Sequence, residues 1–230
     1  MKMKNFLSIS CFLFSTFLSF SQVDPLGDFN RHVVANWAGE YVRIAQYRVK
    51  GTPYLYGESL PGSINYKGGK VFKDSKILYD LYNQKAGLEE KNEIFEADEM
   101  VEEFTIVIPE KYGSQQLLFR NSSFYGGENK GFFNIVVDGE KISLLKSYKI
   151  KLSTDPANPM DKDIKIFDQY FEYYLFSKTD KKIAKIKLKE KDVVNFIKDE
   201  SFVKKQINEQ NLDLTKESGL KKLIIAYNNN

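Results

Sequence analysis

Tyr170, Tyr173 and Tyr174 fall close together in a stretch that reads as a strand, and Tyr54, Tyr56, Tyr79 and Tyr82 lie upstream in another strand-rich stretch. Rings with a polar tip can stack on sugars or grip a peptide. Tyr54, Tyr79, Tyr82, Tyr170 and Tyr174 are therefore the candidate ligand-binding residues. The competing structural role is that tyrosine suits strands and lends its ring to a core while its hydroxyl stays wet.

Other chemistries lack their parts. A nucleophilic triad needs a base beside its serine or cysteine, and the sequence holds one histidine, His32, and one cysteine, Cys11. No serine sits in a Gly-x-Ser-x-Gly elbow. A lone imidazole without further ligands at metal spacing reads as a surface or capping residue. Gly68-Gly69 and Gly126-Gly127 are not followed by the Lys-Ser or Lys-Thr of a phosphate loop. The acids Asp98-Glu99 and Glu102-Glu103 flank an apolar strand, where carboxylates act as solvated guards against edge pairing. No catalytic residue, metal ligand or cofactor is assigned.

The start of the chain sets the expected compartment. Lys2 and Lys4 precede an apolar run from Phe6 to Phe20, and Ser19-Phe20-Ser21 puts small residues at the positions of a cleavage site. This predicts a secretory signal over residues 1–21 and a periplasmic or secreted protein. The uninterrupted apolar run is shorter than the ~20 residues a spanning helix needs, so no transmembrane span is expected after cleavage. Cys11 has Ser8 three residues before it and lies inside the apolar run, a poor setting for lipidation. Cleavage would leave 209 residues (230 minus 21) without cysteine, held by apolar burial alone. Losing Lys2 and Lys4 takes the formal charge from +3 to +1, too little to drive nucleic-acid binding.

The elements that must position the tyrosines follow from turn chemistry and alternation. Residues 23–39 predict a short amphipathic helical turn around His32 and Trp37. Tyr41 to Lys50 predicts a strand ended by Gly51 and Pro53. Gly68-Gly69 predicts a tight hairpin in which Tyr66 opposes Val71, followed by a strand over 77–82. Ile94–Glu96 and Phe104–Ile108 predict two further strands. Asp138-Gly139 predicts a two-residue type I′ turn that pairs Phe133 with Leu144 and Ile135 with Ile142, all four on one buried side. Residues 153–159, with two prolines, predict a loop. Residues 170–176 and 183–188 predict a last hairpin. Beyond Lys189 the apolar period becomes helical, with Thr215 a candidate N-cap for Leu220, Leu223, Ile224 and Tyr227.

These readings predict a mainly β protein with C-terminal helices, in the α+β class: an antiparallel curved sheet or barrel of roughly nine to eleven strands, capped by two or three helices. The expected divisions are a signal peptide over 1–21, a β domain over 22–189 and a helical cap over 190–230.

Gly51-x-Pro53-Tyr54-Leu55, Tyr79-Asp80-x-Tyr82, Gly131-Phe132-Phe133, Asp138-Gly139 and the tail near Tyr227-Asn228 are short motifs spread over most of the chain. In them the chain resembles a family of uncharacterised secreted or periplasmic proteins of flavobacteria and related Bacteroidetes. Family members carry Arg-Tyr-Asn where Leu78-Tyr79-Asp80 stands here. The resemblance implies localisation in a Gram-negative envelope and brings no activity with it. The functional expectation is an exported, non-enzymatic binding or structural module whose partner is an envelope protein, a peptide or a glycan. The alternatives are a carboxylate-based enzyme acting on glycans and a carrier of lipid or another small apolar ligand.

Overall fold

The computed structural model describes residues 29–32, 42–44, 47–91, 93–97, 101–126 and 130–230. The expected signal segment, Cys11 and Trp37 lie outside these, as does the His32 side chain.

Among the described residues thirteen strands form one sheet. They are β1 (Phe29–His32), β2 (Val42–Ile44), β3 (Tyr47–Lys50), β4 (Leu60–Tyr66), β5 (Val71–Asp80), β6 (Lys85–Glu90) and β7 (Glu93–Ala97), then β8 (Val101–Ile108), β9 (Gln115–Asn121), β10 (Phe132–Asp138), β11 (Ile142–Thr154), β12 (Ile164–Ser177) and β13 (Lys182–Ile186). Their order is β1-β7-β6-β5-β4-β8-β9-β10-β11-β12-β3-β2, with β13 paired to β12 off this path. Three helices end the chain: α1 (Glu190–Ile197), α2 (Glu200–Gln210) and α3 (Glu217–Asn229). The class is therefore α+β, mainly β, and of the two expected shapes the sheet is the curved, unclosed one.

The curl is strong. In a flat sheet the six steps from β5 to β12 would separate them by about 29 Å, at ~4.8 Å per step. Instead the Gln169 side chain on β12 donates to the carbonyl of Tyr54, which bridges Asp80 at the end of β5, at 3.2 Å. Gln84, in the turn after β5, likewise donates to the Tyr148 carbonyl on β11 at 3.2 Å. The inner face of the curl is filled by Ile64, Ile77, Tyr79, Phe104, Ile106 and Phe119 from β4, β5, β8 and β9. Phe104 and Phe119 stack at 4.7 Å, and Tyr79 meets both edge-on or tilted. Farther along the same face the helices cover β11, β12 and β13, where Val193, Val203, Leu220, Leu223 and Ile224 pack on Leu144, Leu175 and Ile186.

Several expectations change in the structure. The helical turn over 23–39 is contradicted in its described part, because Phe29–His32 is a strand paired with β7. The strand over 41–50 is seen as β2 and β3, which pair with each other, and β3 then lies parallel to β12, so the sheet is not wholly antiparallel. β6 and β9 were not foreseen. Lys85-Ala86-Gly87-Leu88-Glu89-Glu90 is poor in β-formers, and its place between β5 and β7 makes it a strand. The strand expected over 77–82 ends at Asp80, whose carboxylate accepts from the N–H groups of Tyr82 and Asn83 and turns the chain. At Gly68-Gly69 both residues have positive φ, +95° and +88°, as a tight hairpin requires. The loop is one residue longer than expected: Tyr66 N–H bonds Lys70 O, and Asn65 rather than Tyr66 opposes Val71.

The Asp138-Gly139 hairpin is the largest correction. Ile135 faces Leu145 rather than Ile142, a shift of three residues, and the register slips again between Ile135 and Val137. An odd shift swaps faces. Phe133 and Ile135 thus pack with Leu145, Tyr174 and Phe176 on the outer face, whereas Ile142 and Leu144 pack under the helices. The cause is tertiary. The Asn228 side chain lies against Gly139, where a Cβ would come within 2.1 Å of it. Its Oδ1 accepts from Lys141 and Ile142 N–H and its Nδ2 donates to the Ile142 and Ile224 carbonyls. The end of α3 therefore dictates the turn. Thr215 does not cap α3: the cap position is Lys216, and Thr215 donates to Asp213.

Candidate functional site

The five expected tyrosines do not share a surface. Tyr79 is fully buried on the inner face, where its hydroxyl donates to Gln84 Oε1 at 2.8 Å and accepts from Phe132 N–H at 3.4 Å. Burial pushes its pKa well above the ordinary phenol range. Tyr54 is buried on the other side of β5 with Leu78 and Ile94. Tyr174 is buried on the outer face between Phe133 and Leu145, and its hydroxyl donates to Glu172. Only Tyr82 and Tyr170 are exposed, at 42% and 40%. Tyr82 sits against Phe167 on the inner side, whereas Tyr170 lies on the outer face opposite Lys149. A platform made of these five rings is not what the fold builds.

The fold brings a different set of aromatics together. On β11 and β12, inner-face pairs run Lys146–Tyr173 and Tyr148–Phe171. The Lys146 ammonium stands 4.3 Å from the Phe171 ring centroid, 5.1 Å from Tyr148 and 5.6 Å from Tyr173. Glu217, in the first turn of α3, closes this cage: its Oε2 accepts from Lys146 at 2.8 Å and from the Tyr173 hydroxyl at 2.6 Å. Burial opposes the charged form of Glu217, but the Lys146 and Tyr173 hydrogen bonds and the Lys146 charge outweigh it and hold its pKa below the ordinary range. Burial, and then the Glu217 carboxylate, push Tyr173 up. The cage already holds its own cation and counter-ion, so it works as a clamp between helix layer and sheet.

The concave site lies at the other end of the helix layer. A cleft of about 490 Å³ opens between the β12–β13 hairpin, the β10–β11 turn, α1 and the last turn of α3. That volume suits a small ligand or one segment of a peptide. Ile142, Ala184, Ile186, Phe196 and Ile197 supply apolar lining, and Tyr227 adds a ring. Ala184 helps to make the space, since it faces the helices where its neighbours on that face are larger.

Charge is concentrated at the rim. Lys141, Lys182, Lys185 and Lys198 line the cleft against Asp180 and Asp192, four cations to two anions. Asp180 is held by the Ser177 hydroxyl and Asp192 accepts the Lys187 N–H. Lys185 pairs with Glu172 on the outer face. Among the described residues Lys141, Lys182 and Lys198 form no ion pair, and Lys141 lies over the Tyr227 ring at 5.7 Å. Lys198 is fixed by the end of α1, where it takes a left-handed conformation and its N–H bonds Val194 O. The positive field is therefore open to a ligand.

These residues escaped the sequence reading, although one signal was present. Seven lysines fall between Lys178 and Lys191, the densest cationic stretch in the chain. Lys141 and Tyr227 join them only through the fold. Among the described residues no group of three or more His, Cys, Asp or Glu side chains is placed to hold a metal ion. Among the same residues no helix is long and apolar enough to cross a membrane. No protein-family model matches the sequence, and neither the curated proteins nor the solved structures give a match.

Proposed function

We propose that this protein is an exported, non-enzymatic binding module whose cleft takes an anionic ligand with an apolar part. The observation that carries the reading is the juxtaposition of three lysines that form no ion pair among the described residues and an apolar, concave lining at one end of the helix layer. Lysines of this kind attract and orient an anion, and the apolar wall supplies contact area. The leader-like residues 1–21 support export. The two carboxylates in the cleft are each committed to a structural hydrogen bond, which favours binding over carboxylate catalysis. The curl of the sheet is packed with Tyr79, Phe104, Phe119 and their neighbours, which argues against an acyl chain carried there.

The test uses anilinonaphthalene sulfonate, an apolar body with one anionic group, and an uncharged naphthyl analogue. The expected result is one saturable site for the anion, weakened by salt and weakened about fivefold by each of Lys182→Glu and Lys198→Glu, with weaker binding of the neutral analogue. Unchanged affinity after both reversals, in variants with the melting temperature of the parent, would remove the cleft from consideration.

A further inference from the structure

One wall of the cleft is a strand at the margin of the sheet. Strand β13 pairs with β12 alone, so among the described residues its far edge has no strand beside it. Pairing of Tyr173 with Ile186 and of Leu175 with Ala184 places Lys182, Ala184 and Ile186 on the helix-covered face. Lys185 alternates to the other face, where it meets Glu172. Yet Lys182, Ala184, Lys185 and Ile186 all line the cleft. The wall of the cleft thus includes the successive residues Ala184, Lys185 and Ile186 of a strand whose far edge is unpaired among the described residues.

We infer that the cleft receives an extended acidic peptide segment that adds to the edge of β13 as a further strand. This rests on the cleft reading and names the class of its ligand. Free backbone N–H and C=O groups on a strand edge are satisfied by an added strand, and alternate side chains of that strand enter the adjoining pockets. Here every second side chain of the added strand points into the cleft, toward Lys182 and Lys198 and the apolar wall of Phe196. Acidic residues at those positions complement the rim, and apolar residues between them suit a pleated partner. A second copy of this chain is a poor occupant, because its own β13 would bring a second lysine-rich edge, with Lys181, Lys182, Lys185 and Lys187, against this one. Lysines on an edge repel such self-pairing and leave the edge open to a strand of opposite charge.

The experiment compares three probes on the full-length protein. They are a capped peptide of about seven residues alternating glutamate with valine, the same peptide N-methylated at alternate backbone nitrogens, and anilinonaphthalene sulfonate. Affinity is read by titration, and amide hydrogen exchange is followed across residues 182–186. The expected result is that the first peptide binds, that N-methylation weakens it about tenfold through lost backbone hydrogen bonds, and that alternate amides of β13 exchange more slowly in the complex. Lys182→Glu weakens the unmethylated peptide. Equal binding of both peptides, or binding without protection in β13, overturns strand addition while the anionic cleft stands. Binding of the sulfonate but of neither peptide does the same. Failure of all three probes overturns the cleft reading and strand addition with it.

Discussion

Replacing Glu217 by glutamine tests the clamp between the helix layer and the sheet. The substitution keeps shape and removes charge from a group that accepts from Lys146 at 2.8 Å and from Tyr173 at 2.6 Å. The Lys146 side chain is 14% exposed and that of Glu217 38%. Exposed pairs contribute at most ~1 kcal/mol, whereas breaking a fully buried pair costs ~3–5 kcal/mol. The exposure of Glu217 moves the value down from the buried limit, and the three rings around Lys146 keep part of its stabilisation. The expected loss is about 2 kcal/mol, or a fall in Tm of about 4–8 °C for a chain of this size. Lys146→Met alone strands the Glu217 carboxylate and is expected to cost at least as much, whereas the double variant Lys146→Met/Glu217→Gln, which fills the cage and leaves no charge unpaired, is expected to cost under about 1 kcal/mol.

The pH dependence has a definite sign. The folded pKa of Glu217 is depressed, so the unfolded state binds protons first as pH falls. The pair's stabilisation is complete above the unfolded carboxylate value of about 4.3 and is lost as pH drops through the lower folded value. Urea unfolding of parent, both single variants and the double variant from neutral pH to about pH 3 measures this. The gap between parent and Glu217→Gln is expected to shrink below about pH 4. A gap that stays constant to pH 3, or a double variant that loses more than Glu217→Gln alone, refutes the account.

Asn228→Ala removes the side chain that satisfies Lys141 and Ile142 N–H and the Ile142 carbonyl. It is expected to cost about 2 kcal/mol and to speed amide exchange at Lys141 and Ile142. Gly62→Ala places a Cβ 1.9 Å from the Thr105 carbonyl oxygen of the neighbouring strand, so loss of at least ~3 kcal/mol is expected by chemical denaturation. Tyr79→Phe leaves the Gln84 side chain and the Phe132 N–H without their shared partner, and a loss of about 1–2 kcal/mol is expected. An equally stable Tyr79→Phe variant would show that the hydroxyl has no structural role.

Local signals identified many elements and misjudged how they meet. Gly68-Gly69 announced a turn because positive φ is a local demand, and the loop appeared within one residue of its expected register. The Asp138-Gly139 turn carried an equally strong local signal and came out differently, because Gly139 makes room for Asn228 at the far end of the chain. Tyr79 and Asp80 were legible as a distinctive pair. Their use is structural: one plugs the core and the other turns the chain. In β12 Tyr170 and Tyr174 share one face and Tyr173 the opposite one, and which of the two the helices cover is set by the fold.

The sequence by itself determined the class: alternating apolar residues broken by glycine and proline become strands, and a change to helical period after Lys189 becomes helices, since both follow from backbone geometry a few residues long. The tertiary structure decided the rest. The curl that brings Gln169 to Tyr54, the cage around Lys146, and the lysine-rimmed cleft at β13 all join residues distant in the chain. No local pattern encodes such meetings, because they arise only when the sheet bends and the helix layer settles on it to bury the remaining apolar surface.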